Sequence, residues 1–583
     1  MAASGFTIID TDVLVVGGGL AALRAALAAR STGARVLVAA KRKLGRSGSS
    51  ANTTGGYAAA MAEFNESDNS QIHYEDTIVG GAFVNERKLA RALVDEGPRR
   101  LQELWELGAK FRRHDGRYLM SPSGDHRRAR IVVPMNSIGT DLTLPLSAAV
   151  LASGVEALEN CAVVDLLRDG GRVVGAVCLA RDRIEGFVIR AGAVILAAGG
   201  AGRMFSLTSN PTDVRGSGYA LALKAGARLR DMEFIQFYPW RLIRPFKNTR
   251  MPIQSSVFVA GGRLLNRNGE RFMERYDPVR KDSAMRDVSA RGIFDQIREG
   301  LDVDGGVILD VSDVSDEAFR LNNPRVVEAL DRQGVDYRGI TLIVAPEAHF
   351  FMGGVAIDEH GRSDIAGLYA AGENAGGVHG ANRLNSNAIP DTQVFGHRAG
   401  IAASDAAAKM VEAARQTHID EAVVAGWRTR LSAIADPSMS VSADYEALVQ
   451  RLRACVSLGL GIVRTAEGLD RVAAELKAID AANATLQPST LGELIAMVEI
   501  EEMCAVATVC AKSALLRTES RGAHFRDDYP RTDPEWAKTI TFGPHGLATV
   551  DIARGDETFE AADFAAAAEA RSAAVAGAHE HVE

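Results

Sequence analysis

The stretch "DVLVVGGGLAALRAALAARSTGARVLVAAK", beginning at Asp12, constrains the fold more than any other part of the chain. It reads as an apolar strand, a glycine turn, an alanine-rich helix ending near Gly33, and a second apolar strand. The two apolar runs have the length of buried parallel strands, so the unit is βαβ and the sheet is covered on both faces. Gly17, Gly19 and Ala22 form G-x-G-x-x-A between strand and helix. The first glycine permits the tight turn and the second lets the backbone approach a pyrophosphate. The small third residue lets helix and strand pack closely, and the phosphates rest on the helix N-terminus. The bland alternative is a tight turn without a ligand. At the end of the second strand Ala40 stands where an acidic residue often holds a ribose. That weakens an NAD reading and leaves FAD open.

Two later stretches repeat the strand-to-glycine junction: "VIRAGAVILAAGGAG" from Val188 and "DIAGLYAAGENAGG" from Asp364. Three such junctions imply one sheet assembled from distant pieces, with an insert between them. Residues 241–350 mix short strands and helices and read as that insert. From about 430 to 525 the pattern is helical and fits two or three packed helices. The alanine-rich tail from Phe559 is expected to fray. At 583 residues the chain exceeds one ordinary core.

The net charge of -8 argues against nucleic acid as the main partner. No apolar run is long enough to cross a membrane. The N-terminus reads as the first strand and not as a signal peptide. The five cysteines, Cys161, Cys178, Cys455, Cys504 and Cys510, contain no CxxC pair. No metal site or iron–sulfur cluster held by this chain is expected, and scattered cysteines fit a cytoplasmic protein.

Eight segments taken together resemble the flavoprotein family of fumarate reductase and succinate dehydrogenase, which includes L-aspartate oxidase and the flavin subunit of adenylylsulfate reductase. They are "VVGGGLAALRAALAA", "GRSGSSANTTGGYAAA", "VILAAGGAGRMF", "MEFIQFYPW", "RDVSARGIF", "HFFMGGVAID", "LYAAGENAGGVHGANRLNSNA" and "RTESRGAHFRDDYP". They occur in the family's order and span most of the chain. The resemblance implies a Rossmann-like α/β FAD-binding domain (1–240 and 351–425) interrupted by an α+β capping domain (241–350). A helical domain (430–525) and a C-terminal extension (526–583) follow.

The resemblance also implies residue roles. Lys41, Ser47, Gly55, Gly56, Ala198 and Gly199 join the fingerprint residues around FAD. Glu373 hydrogen-bonds the cofactor. Ser386, Asn387 and Ile389 begin a helix facing the flavin, with Pro390 in its first turn. Arg383 clamps a substrate carboxylate, His349 is a second carboxylate ligand, and Arg286 transfers a proton. The respiratory members' covalent-FAD histidine falls at Gly48, so a non-covalent flavin is expected.

The departures from the family are as informative. Tyr238 replaces a histidine and Trp240 a threonine in the family's carboxylate-binding run, and Ser255 stands where a relay glutamate is expected. Trp240, Arg241 and Phe258 are expected to enter the pocket, with Arg241 either replacing the lost anion contact or facing solvent. A larger or partly aromatic acid is expected in place of plain succinate or fumarate. The expected partner is an iron–sulfur or ferredoxin-like protein, through which the chain could sit at a membrane. The alternatives are an amino acid oxidase like L-aspartate oxidase, and a flavin-binding subunit with a decayed site.

Overall fold

The computed structural model describes residues 6–61, 66–114, 116–245, 251–409 and 419–552. Strand β1 (Thr7–Val16), helix α1 (Leu20–Ser31) and strand β2 (Val36–Ala39) form the expected βαβ unit. Gly17 has φ +130°, and a Cβ there would lie 2.2 Å from the Ala197 carbonyl oxygen, so only glycine fits the turn. The sheet continues with β3 (Glu156–Leu158), β4 (Cys161–Asp169), β5 (Arg172–Ala180) and β6 (Gly186–Leu196). Its order is β3-β2-β1-β6-β5-β4.

The chain then leaves this sheet. β7 (Ile235–Arg244), β8 (Met251–Pro252), β9 (Arg263–Leu265), β10 (Val307–Asp310) and β11 (Leu342–Phe351) form a second sheet, ordered β8-β7-β11-β10-β9 and antiparallel throughout. Helices α2 (Arg286–Arg298) and α3 (Pro324–Arg332) belong to the same segment. The expected junctions at 240 and 350 fall within β7 and β11. Pro239 lies inside β7 and has no N–H to give the ladder, and the register with β11 shifts between Tyr238 and Arg241.

The chain returns to the first sheet with β12 (Leu368–Ala370) and the long helix α4 (Ala388–Ala408). β6 pairs in parallel with β1 along one side. On its other side the first half meets β5 antiparallel and the last three residues meet β12 in parallel. Val16, Leu196 and Ala370 therefore end side by side, which places the three glycine junctions at one edge, as expected. Helix α4 packs on α1 so closely that a Cβ on Gly400 would lie 2.4 Å from the Ala25 carbonyl oxygen.

Helices α5 (Ala443–Gly459), α6 (Ala466–Thr485) and α7 (Leu491–Leu516) follow. Thr490 and Glu493 form a capping box at the start of α7, and backbone donors at Ser489 and Thr490 hold the Glu493 carboxyl down at about 2. Beyond them, β13 (Lys538–Gly543) and β14 (Gly546–Asp551) form a hairpin that pairs with Leu229 and Arg230. The alanine-rich tail lies outside the described residues. No helix among the described residues is long and apolar enough to cross a membrane.

Candidate active site

A cavity of about 720 Å³ runs from the glycine junctions to the cap. Gly17, Gly19, Lys41, Ser47, Gly55, Gly56, Ala198, Gly199, Glu373, Ser386 and Ile389 all line it. At Gly48 and Gly199, with φ +75° and +80°, a Cβ would meet nothing within 4 Å, so the backbone there leaves room for a ligand. The N-termini of α1 and α4 both face the cavity, through Gly19 and Leu20 and through Ala388 and Ile389. Glycine backbone plus two helix N-termini suits an anionic dinucleotide.

Burial pushes the Glu373 carboxyl up to about 7, opposed by a hydrogen bond from the Phe351 N–H at 3.0 Å. Two expected residues do not reach the cavity. Ala22 is fully buried, consistent with a packing role between helix and strand. Asn387 turns away: its Oδ1 meets His73 Nε2 at 2.9 Å and its Nδ2 donates to Thr77 Oγ1 at 3.2 Å. Ser386, just before it, has φ +65° and redirects the chain at this corner.

Arg286, His349 and Arg383 converge at the cap end of the cavity. They come from α2, from β11 and from the loop before α4. Gln236 on β7 joins the arginines: its Oε1 accepts from Arg286 at 3.2 Å and from Arg383 at 3.0 Å. Arg286 also donates to Asn385 Oδ1 at 2.6 Å. The Nε of each arginine is buried and has no hydrogen-bond partner among the described residues. Burial and the neighbouring Arg286 lower the Arg383 pKa, and a bound carboxylate would reverse that shift. His349 is neutral: burial first, then Arg383 and Arg286, holds its pKa well below the usual imidazole range.

The four expected pocket residues behave differently. The Tyr238 ring lines the cavity, with the Arg286 guanidinium 5.0 Å from its centroid. Its hydroxyl is committed, donating to the Ile253 carbonyl at 2.5 Å. Trp240 does not line the cavity. It is buried in the cap core, its ring centroid 4.7 Å from that of Phe258. Arg241 neither lines the cavity nor faces solvent; it is buried with its Nε 3.6 Å from Glu347. Ser255 lies behind the arginines, where its Oγ accepts from Asn385 Nδ2 at 3.2 Å.

Family models match most of the chain: an FAD binding domain over residues 12–389 and a fumarate reductase flavoprotein C-terminal domain over 449–571. The chain belongs to the fumarate reductase and succinate dehydrogenase flavoprotein family. It is 38% identical to one of the subunits of the fumarate reductase (CoM/CoB) of Methanothermobacter marburgensis, over 91% of this chain and 97% of that protein. It is 35% identical to the L-aspartate oxidase of Caulobacter vibrioides, over 90% and 95%. Its fold matches an FrdA chain of E. coli quinol fumarate reductase with a TM-score of 0.86 at 27% identity, over 95% of this chain and 99% of that one. The protein is an FAD-dependent oxidoreductase of this family.

For this flavoprotein, sequence reasoning missed the residues that hold the catalytic arginines. Gln236 and Asn385 lie within the family motifs, but side-chain amides carry no chemical signature of their own. The cap residues Gln254, Asn322, Asn323 and Arg325 also line the cavity, and no motif marked them. Gln254 Nε2 donates to Thr54 Oγ1 at 3.1 Å, which ties the cap to the cofactor domain. At Gly48 there is no side chain to bond the flavin. Acid precipitation of the purified protein should therefore leave all the FAD in the supernatant, and yellow colour kept by the denatured chain would refute this.

Proposed function

We propose that this flavoprotein moves a hydride equivalent between FAD and a CH–CH bond of a carboxylic acid, and passes electrons to a separate redox protein of the iron–sulfur or ferredoxin type. The observation that carries the reading is the pair of buried arginines sharing one Gln236 oxygen, each with an unpartnered Nε, in the cavity that suits the dinucleotide. FAD, when bound, supplies the hydride donor or acceptor at N5. Arg383 holds the substrate carboxylate through its planar guanidinium, and His349 adds a neutral donor. Arg286 carries the proton to or from the neighbouring carbon. Asn385 links it to Ser123, Ser255 and Asp125, a polar path behind the guanidinium.

The far end of the substrate meets the cap, where Gln254, Asn322, Asn323 and Arg325 replace the aromatic wall expected from Trp240 and Phe258. The substrate is therefore a polar organic acid longer than fumarate, reaching from Arg383 to the cap. Fumarate itself lacks a contact because the Tyr238 hydroxyl is taken. Tyr238→His should lower its KM by about ten- to a hundredfold, the equivalent of about 1.5–3 kcal/mol for a charge-assisted bond. Steady-state kinetics with reduced viologen checks this, and an unchanged KM would mean that the cap already supplies the contact.

The Methanothermobacter relative is named as one of several subunits, which supports a partner chain for this protein too. A partner would also account for any membrane association. The aspartate oxidase relative supports a second reading, oxidation of a CH–NH bond. Hydrogen peroxide formed from L-aspartate in air, with no added acceptor, would favour that reading over the first.

A further inference from the structure

We propose that Ser209 is a positioning residue for His349: its hydroxyl donates to Nδ1 and keeps the proton of the neutral imidazole on Nε2, the nitrogen left to meet the substrate carboxylate. The inference rests on the reading of His349 as a carboxylate ligand.

Both residues line the cavity, and Ser209 Oγ lies 2.7 Å from His349 Nδ1. A neutral imidazole has one N–H and one lone pair, so the partner of Nδ1 decides what Nε2 presents. The other acceptor near the Ser209 hydroxyl is the Ala348 carbonyl, at 3.4 Å. That oxygen already takes the Thr208 hydroxyl at 2.8 Å and the Ser209 N–H at 3.0 Å. Asn210 Nδ2, at 3.4 Å from Ser209 Oγ, can only donate. Nδ1 is thus the best acceptor available to the hydroxyl proton. In the reverse arrangement the serine proton would go to a crowded, distant carbonyl, and an Nε2 lone pair would face the carboxylate.

The segment does not depend on the serine side chain for its place. Ser209 N–H bonds to the Ala348 carbonyl, the Ala348 N–H bonds to the Leu207 carbonyl, and Asn210 Nδ2 holds the His349 carbonyl at 2.7 Å. Ser209→Ala should therefore fold and load FAD normally.

The test uses the FAD-loaded enzyme with fumarate as the probe, its binding read from the flavin difference spectrum. Ser209→Ala should weaken binding about tenfold, the loss of one well-oriented hydrogen bond, and Ser209→Thr should restore it. His349→Gln should also weaken binding, and adding Ser209→Ala to it should have no further effect. In ¹⁵N-histidine spectra the His349 signals, identified by their loss in His349→Gln, should show the Nε2-protonated tautomer in wild type and a shift toward a mixture in Ser209→Ala. Full binding in Ser209→Ala beside weakened binding in His349→Gln would overturn the inference, as would additive effects or an Nδ1-protonated wild type. If His349→Gln binds fumarate normally, the carboxylate-ligand reading falls, and the tautomer signals alone decide the role of Ser209.

Discussion

Replacing Arg383 with alanine should lower kcat/KM for the acid substrate on the order of 30- to 5,000-fold, because truncating one member of a buried charge pair costs about 2–5 kcal/mol. The loss should be large because this guanidinium is 4% exposed and its neighbours are already committed. Gln236 serves both arginines, and His349 is neutral, so no other group can take over the carboxylate's charge without moving. FAD content should be unchanged, since the glycine cradle lies elsewhere in the cavity. Steady-state kinetics alongside flavin quantitation makes the check, and near-normal efficiency would make Arg383 a structural residue.

Arg286→Gln should act on turnover more than on binding. Loss of a positioned proton donor typically costs about 10²–10⁴-fold. Glutamine can still reach Asn385 or Gln236, so the cavity should keep its shape. Single-turnover reoxidation of reduced enzyme by the acid should slow by that factor, with saturation at a similar acid concentration. An unchanged rate would move the proton-transfer role to another group. An arginine is a weak acid in water, but desolvation beside a second arginine disfavours its charged form, and that lowers the cost of giving up the proton.

Much of this architecture was legible because its signals are local. The three strand-to-glycine junctions each announce themselves in a few residues, and parallel pairing then fixes them side by side at Val16, Leu196 and Ala370. Arg286, His349 and Arg383 were legible only through family motifs, since nothing in their spacing says that they meet. Trp240 and Arg241 were misplaced for a specific reason. A residue-by-residue count along β7 assumes regular alternation, and the register shift at Pro239 breaks it. Asn387 was misplaced because the turn at Ser386 aims it at His73. Gln236 and Asn385 show what no sequence signal carries: the second residue behind each charge is a matter of three-dimensional packing.

The central claim is that the two arginines and His349 activate a carboxylic acid toward FAD. The most direct test is anaerobic. FAD-loaded enzyme is photoreduced and mixed by stopped flow with a panel of α,β-unsaturated carboxylic acids, beginning with fumarate and extending to longer polar acids. At least one acid should reoxidise the flavin in wild type, faster than fumarate does, and Arg286→Gln should abolish that reaction while keeping its FAD. If no acid reoxidises the reduced enzyme, while L-aspartate reduces the oxidised enzyme and air reoxidises it within a turnover, the account is contradicted and the protein is an amino acid oxidase.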